Sequence, residues 1–158
     1  MNWIRIILAC CIALLVFLDQ WVKQWAREYL MPVGSLPFID GFLGFRYTTN
    51  TGAAFGILPD GRWFFVILTT VVLIVILIYE FKIPYTKKNM WGRIPLTLIT
   101  AGAIGNFIDR LLTGYVVDMF EFLFINFPIF NVADILLVAG TIIFTFASIF
   151  VFKEEENA

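Results

Sequence analysis

Residues 102–134, GAIGNFIDRLLTGYVVDMFEFLFINFPIFNVAD, decide the fold, because polar side chains interrupt sequence that is otherwise apolar enough to enter lipid. An ionisable side chain at the centre of a membrane helix costs roughly 2.5 to 3.5 kcal/mol on the translocon scale. A cluster of such residues therefore indicates a functional site. Its ionisable members are Asp109, Arg110, Asp118 and Asp134, and the amides Asn106 and Asn131 accompany them.

The composition of the whole chain is that of an integral membrane protein. Of its 158 residues, 61% are hydrophobic and only 15% are charged, whereas soluble domains average about 45 to 50% and about 25%. The mean hydropathy is +0.90. A formal net charge of -1, with no concentrated basic face, argues against a nucleic-acid partner.

Four apolar segments are long enough to cross a bilayer as helices. They are residues 3–25, 63–80, 94–112 and 132–152. All five tryptophans lie near the ends of these segments, where indole rings prefer the headgroup region. The predicted fold is therefore an all-α polytopic membrane protein, a single membrane domain with four transmembrane helices.

Two segments between the predicted spans have a different character. Residues 30–62 are punctuated by glycine and proline, and residues 42–49 are rich in aromatic and β-branched side chains. This pattern predicts a small extracytoplasmic antiparallel β element, joined back to the second span by a turn at 50–52. Residues 115–130 are apolar but too interrupted for a span, so they are predicted to form an interfacial loop.

The orientation follows from the short loop between the second and third predicted spans. Lys82, Lys87, Lys88 and Arg93 stand there without an acidic residue among them. Since cytoplasmic loops carry an excess of basic residues, this loop is predicted to be cytoplasmic. Both termini are then cytoplasmic, and the polar cluster lies at the outer face.

Helical spacing brings several polar residues to one place. Asn106 and Arg110 are four apart and share a helix face, as do Asn131 and Asp134, which are three apart. Closure of the connecting segment can bring Asp118 toward Asp134. Two adjacent carboxylates share one proton, so one can deprotonate a water while the other polarises a carbonyl. This arrangement favours acid/base hydrolysis.

Elimination supports the same chemistry. The chain has no histidine, and its only serines are Ser35 and Ser148. A Ser-His or Cys-His nucleophile is thereby excluded. Asp109 lies on a different face from Asn106 and is expected to form an ion pair with Arg110. For Asp19, four residues before Lys23, the spacing leaves both a structural salt bridge and a substrate contact open.

Four short motifs, in order along the predicted spans, resemble the lipoprotein signal peptidase (signal peptidase II) family. They are NTGAAFG at 50–56, GAIGNFIDR at 102–110, GYVVDMF at 114–120 and FNVAD at 130–134. The resemblance implies a membrane aspartyl endopeptidase that removes the signal peptide of a diacylglyceryl-modified prolipoprotein. Such an enzyme cuts just before the lipidated cysteine.

The resemblance also implies roles for individual residues. Asp118 and Asp134 match the catalytic pair of the family. The residue after the second aspartate is often serine in the family and here is Ile135, which predicts a lost hydrogen bond beside Asp134. The positions that match substrate-binding or supporting residues are Asp19, Asn50, Gly52, Asn106, Arg110 and Asn131.

The location and partners are implied in the same way. The enzyme is expected in the bacterial inner (cytoplasmic) membrane, as a monomer acting on prolipoprotein among membrane lipid, without cofactor or metal. Two other classes stay open. A metal-dependent phospholipid-modifying enzyme could use Asp109, Asp118 and Asp134 as Mg²⁺ ligands. A small ion- or proton-conducting protein would also place acids and arginine in a bundle, although it should line a path through the membrane.

Overall fold

The computed structural model describes residues 2–53, 57–86 and 88–152. Residues 54–56 of the NTGAAFG motif and Lys87 of the predicted cytoplasmic loop lie outside the described residues.

Four long helices make up most of the described chain. They are α1 (Asn2–Trp25), α2 (Arg62–Lys82), α3 (Met90–Leu112) and α4 (Val132–Ala147). A π-helical turn extends α1 through Ala26–Leu30, and another extends α4 through Ser148–Phe152. By length and composition, three described helical stretches could cross a membrane, namely Trp3–Leu30, Arg62–Lys82 and Val132–Phe150.

Of the four helices, α3 is the most polar, because it occupies the centre of the bundle. It packs against α1, α2 and α4. Its buried positions are largely small or polar, including Gly102, Gly105 and Asn106. A Cβ atom on Gly105 would lie 2.5 Å from the Asp19 carboxylate, so only glycine lets α1 approach α3 this closely. Small residues on α3 therefore bring the polar side chains of three helices together.

A three-stranded antiparallel sheet lies at one end of the bundle. Its strands are β1 (Ser35–Ile39), β2 (Leu43–Asn50) and β3 (Val116–Phe122), in the order β1-β2-β3. The expected β element in 30–62 therefore supplies only two of the strands.

The third strand corrects the interpretation of 115–130 as a loop for residues 116–122. Thr48 pairs with Asp118 and Phe45 with Phe120, so β3 completes the sheet. The acidic residues that interrupt this segment are accommodated individually. The Glu121 carboxylate forms an ion pair of 3.0 Å with Arg46 on β2, and Asp118 contacts Asn131.

The sheet is attached to the helices through β3. Val117 and Met119 are fully buried against Ala26 and Leu30, at the end of the first helix. Because side chains alternate along a strand, Asp118 projects from the opposite face. The packing that buries its two neighbours therefore holds Asp118 over the start of α4.

Candidate active site

Asn131 contacts both carboxylates of the predicted pair. It is the N-cap of α4, where its side-chain oxygen accepts a hydrogen bond of 2.9 Å from the Asp134 backbone. The Asn131 backbone amide donates in return to Asp134 Oδ2, at 3.2 Å. Its side-chain amide donates to Asp118 Oδ1 at 2.6 Å. A capping box at the start of α4 thus joins the two carboxylates, one from the sheet and one from the helix.

Asn106, on α3, is hydrogen-bonded to Asp134 and to Asn131. Its Nδ2 donates to Asp134 Oδ1 at 2.8 Å. Its Oδ1 accepts from Asn131 Nδ2 at 3.2 Å and from Lys23 Nζ at 2.9 Å. Since the carbonyl side of the amide receives two donors, the NH₂ side is directed at Asp134.

A buried ion cluster lies beneath Asn106. The Lys23 ammonium is 2.9 Å from Asp19 and 3.0 Å from Asp109, and all three side chains are almost completely buried. Asp109 also pairs with Arg27 at 3.0 Å and accepts from the backbone of Val117. The cluster therefore joins α1, α3 and β3.

The expected pairing of Asp109 with Arg110 is wrong. Consecutive helix residues point about 100° apart, and here Asp109 faces α1 while Arg110 turns toward the loop after β2. Arg110 donates to the carbonyl of Gly52 at 2.8 Å and lies 4.8 Å from the centre of the Phe65 ring.

Asp19 supports α4 from within the bundle. One carboxylate oxygen pairs with Lys23, and the other accepts from the backbone of Ala133 at 2.8 Å. The salt bridge left open by the spacing is thus present, and Asp19 also satisfies an N-terminal amide of α4. Lys23 is not among the site residues predicted from the sequence. Its position inside an apolar helix could have pointed to it, because a lysine there is uncommon without a polar partner.

A cleft of about 460 Å³ opens beside Asp118. Asp118 lies on its wall, and residues 48–52 and 126–129 form much of the remainder. Asn50 accepts a hydrogen bond of 2.9 Å from the backbone of Gly52. Together with the Arg110 contact, this bond holds the loop after β2 at the rim of the cleft. The structure thus brings all eight predicted site residues to one end of the bundle, and three of them, Asn50, Gly52 and Asp118, line the cleft.

The two carboxylates occupy unequal surroundings. Burial, and next the charge of Asp134, raise the pKa of Asp118 to about 7, against a lowering effect of the hydrogen bond from Asn131. Asp134 receives donors from Asn106 and from the Asn131 backbone, in the first turn of α4. The raised pKa of Asp118 lets its carboxyl carry the proton that two adjacent carboxylates share.

The structure also bears on two other expectations, the hydrogen bond lost at Ile135 and the alternative Mg²⁺ site that includes Asp109. The Ile135 side chain is exposed, and Asp134 takes its hydrogen bonds from Asn106 and Asn131. The oxygens of Asp109 are engaged by Lys23 and Arg27, away from the cleft. Within the described ranges, no three Asp, Glu, Cys or His side chains are close enough to hold a metal ion.

A family model of signal peptidase (SPase) II matches residues 11–150 of the chain. The chain belongs to this family. The peptidase is 46% identical over 140 residues to a lipoprotein signal peptidase of Caldanaerobacter subterraneus subsp. tengcongensis, covering 88% of this chain and 93% of that one. A relative of the same name from Enterococcus faecalis is 48% identical over 130 residues, covering 82% and 80%. One from Streptococcus pyogenes is 43% identical over 143 residues, covering 90% and 91%.

Solved structures agree with the family assignment. Two structures of bacterial membrane enzymes superpose on the peptidase with TM-scores of 0.81 and 0.77, at 35% and 36% sequence identity. They cover 90% and 89% of this chain, and the matched regions are 87% and 90% of theirs. The resemblance predicted from the four sequence motifs is confirmed.

Proposed function

We propose that the chain removes the signal peptide of diacylglyceryl-modified prolipoproteins with Asp118 and Asp134 as its catalytic pair. Membership of the family makes it a lipoprotein signal peptidase, which processes prolipoproteins. One observation carries the assignment of the pair, namely that Asn131 is hydrogen-bonded to both carboxylates, of which Asp118 lines a cleft. The remaining predicted site residues support the pair or position the substrate. They are Asp19, Asn106 and Asn131, together with Asn50, Gly52 and Arg110 at the rim of the cleft.

The mechanism follows from the unequal surroundings of the pair. Asp134 takes a proton from a water, whose oxygen attacks the scissile carbonyl carbon, while Asp118 gives its proton to the carbonyl oxygen. In the resulting gem-diol, Asp134 passes the proton to the leaving nitrogen and the C–N bond breaks. Asp118 then recovers a proton from the gem-diol hydroxyl. The water has been divided between the two products, and both carboxyls have returned to their starting states.

We infer the membrane arrangement from the bundle and the basic loop. In this proposal all four helices cross the bacterial inner membrane, both termini are cytoplasmic, and the peptidase acts as a monomer. The carboxylate pair lies at the outer face, at the end of the bundle opposite the basic residues near 82–93. Exposed aromatic side chains on or beside the sheet support contact with lipid, among them Phe38, Phe42 and Phe124. The acyl chains of the substrate then remain in the outer leaflet while the backbone enters the cleft.

Cleavage by the purified full chain tests this function. We expect it to cut a diacylglyceryl-cysteine prolipoprotein peptide on the amino side of the modified cysteine, at an unchanged rate with excess EDTA. The same peptide without the diacylglyceryl group is the matched control and should be cut much more slowly. Mass spectrometry of the products locates the cut. Loss of cleavage on chelation would favour the metal-dependent enzyme instead.

The pH dependence of cleavage follows from the Asp118 proton. Because the pKa of Asp118 is raised to about 7, its carboxyl holds a proton below that pH and loses it above. We expect kcat to fall above pH 7 by about tenfold per unit, as the general acid is lost. Burial raises the pKa of Tyr47 above its usual value, so Tyr47 does not titrate near neutrality. Tyr47→Phe should therefore keep the same alkaline limb, and a profile that stays flat above pH 7 would contradict the assignment.

A further inference from the structure

A second cavity, of about 260 Å³, lies between α1, α2 and α3 at the end of the bundle opposite the carboxylate pair. Arg5 near the start of α1 and Glu80 near the end of α2 line it, together with Tyr85. Farther along the helices its walls are mostly apolar. The apolar lining consists of Leu8, Ala9, Ile12, Ile76, Leu77, Phe81 and Leu96, and Thr97 and Thr100 of α3 complete the wall. The cavity is therefore a mostly apolar groove whose charged groups, Arg5 and Glu80, lie at one end.

The polar end of the groove carries one uncompensated positive charge. Glu80 is neutralised, because its carboxylate pairs with the buried guanidinium of Arg93 and accepts a hydrogen bond of 3.0 Å from the Tyr85 hydroxyl. The Arg5 guanidinium lies 5.0 Å from the Tyr85 ring and 5.6 Å from the Phe81 ring. Within residues 2–53, 57–86 and 88–152 it forms no ion pair, and its buried Nε has no hydrogen-bond partner.

We propose that this groove binds an anionic phospholipid, with the phosphate on Arg5 and one acyl chain along the apolar walls. Basic pockets between membrane helices select anionic headgroups, because the phosphate supplies both the countercharge and the missing acceptors. The site is separate from catalysis, since Arg5 and Asp19 are 14 positions apart on α1, a rise of roughly 21 Å. The proposal therefore does not depend on the assignment of the catalytic pair.

Native mass spectrometry of the purified full chain tests lipid selection. The protein is titrated in neutral detergent with phosphatidylglycerol or with phosphatidylcholine of the same acyl chains. We expect wild type to retain one phosphatidylglycerol in preference to phosphatidylcholine. Arg5→Gln should weaken phosphatidylglycerol binding roughly fivefold and weaken phosphatidylcholine binding less, so that the preference for the anionic lipid narrows. Ala9→Phe, which fills the groove and keeps the charge, should weaken binding of both lipids.

Lys82→Gln is the matched control, because it removes the same charge from an exposed position at the same end of α2 without altering the groove. It should bind phosphatidylglycerol like wild type. Equal loss in Lys82→Gln and Arg5→Gln would mean diffuse surface attraction and would overturn the proposal, as would equal retention of the two lipids by wild type. A raised KM for the lipidated peptide in Arg5→Gln, measured in phosphatidylcholine bilayers, would assign the groove to the substrate and overturn it also.

Discussion

Asp118→Asn and Asp134→Asn should each lower kcat for the lipidated peptide by about a thousandfold or more. The asparagine side chain can neither take a proton from the water nor give one to the scissile carbonyl oxygen, yet it is nearly isosteric with aspartic acid. In Asp118→Asn the remaining side-chain oxygen can still accept from Asn131. In Asp134→Asn only one of the two hydrogen bonds, from Asn106 or from the Asn131 backbone, can be kept, because each uses a different oxygen. Thermal stability in detergent should therefore stay close to wild type for Asp118→Asn and fall by about 1 to 3 kcal/mol for Asp134→Asn, while the steady-state rate of both collapses.

The two substitutions should also be strongly non-additive. In the proposed mechanism the two carboxyls act together in the same steps, so the double variant should be little slower than the worse single variant. Glu121→Gln is the matched control, since it neutralises an acid on the same strand, three residues from Asp118, that pairs with Arg46 at the surface. It should change kcat by less than about twofold. Activity within tenfold of wild type in either Asp118→Asn or Asp134→Asn would remove that residue from the pair.

The sequence predicts the helices well and the sheet only in part. Each helix is a local pattern of apolar residues, so its position can be read from the chain itself. Strand β3 is different, because Asp118 pairs with Thr48, and a contact across so many residues has no local signature. Asp118 and Glu121 also weaken the strand pattern in that segment, although each has a specific partner in the folded chain.

The site shows the same division between local and tertiary information. The proximity of Asn131 and Asp134 follows from helical spacing, as does the salt bridge of Asp19 with Lys23. The partners of Asp109 do not follow from spacing, because Lys23 and Arg27 reach it through the packing of α1 against α3, and the neighbouring Arg110 points elsewhere. The role of Lys23 is hidden for the same reason, since Asn106 lies 83 residues farther along the chain.

Lys23→Met should reduce both stability and catalysis, by separate routes. The buried cluster holds two cations, Lys23 and Arg27, against two carboxylates, Asp19 and Asp109. Removing one cation leaves an uncompensated buried charge, which costs about 3 to 5 kcal/mol of unfolding free energy. Asn106 Oδ1 also loses its donor from Lys23 and keeps only the longer hydrogen bond from Asn131 Nδ2. The hydrogen bond from Asn106 to Asp134 is then held less firmly, and kcat should fall by about a hundredfold.

A charge-balanced double variant separates the two routes. Adding Asp19→Asn to Lys23→Met restores one cation against one carboxylate, and the new amide oxygen can still accept from Ala133. Thermal stability should therefore recover in large part, while kcat stays low because Asn106 still lacks its lysine. The alkaline limb should also move to higher pH in both variants, since the Lys23 charge lowers the pKa of Asp118. If kcat and the alkaline limb of its pH profile return to wild type together with stability, Lys23 is a structural counterion alone. If only stability returns, Lys23 positions the pair through Asn106.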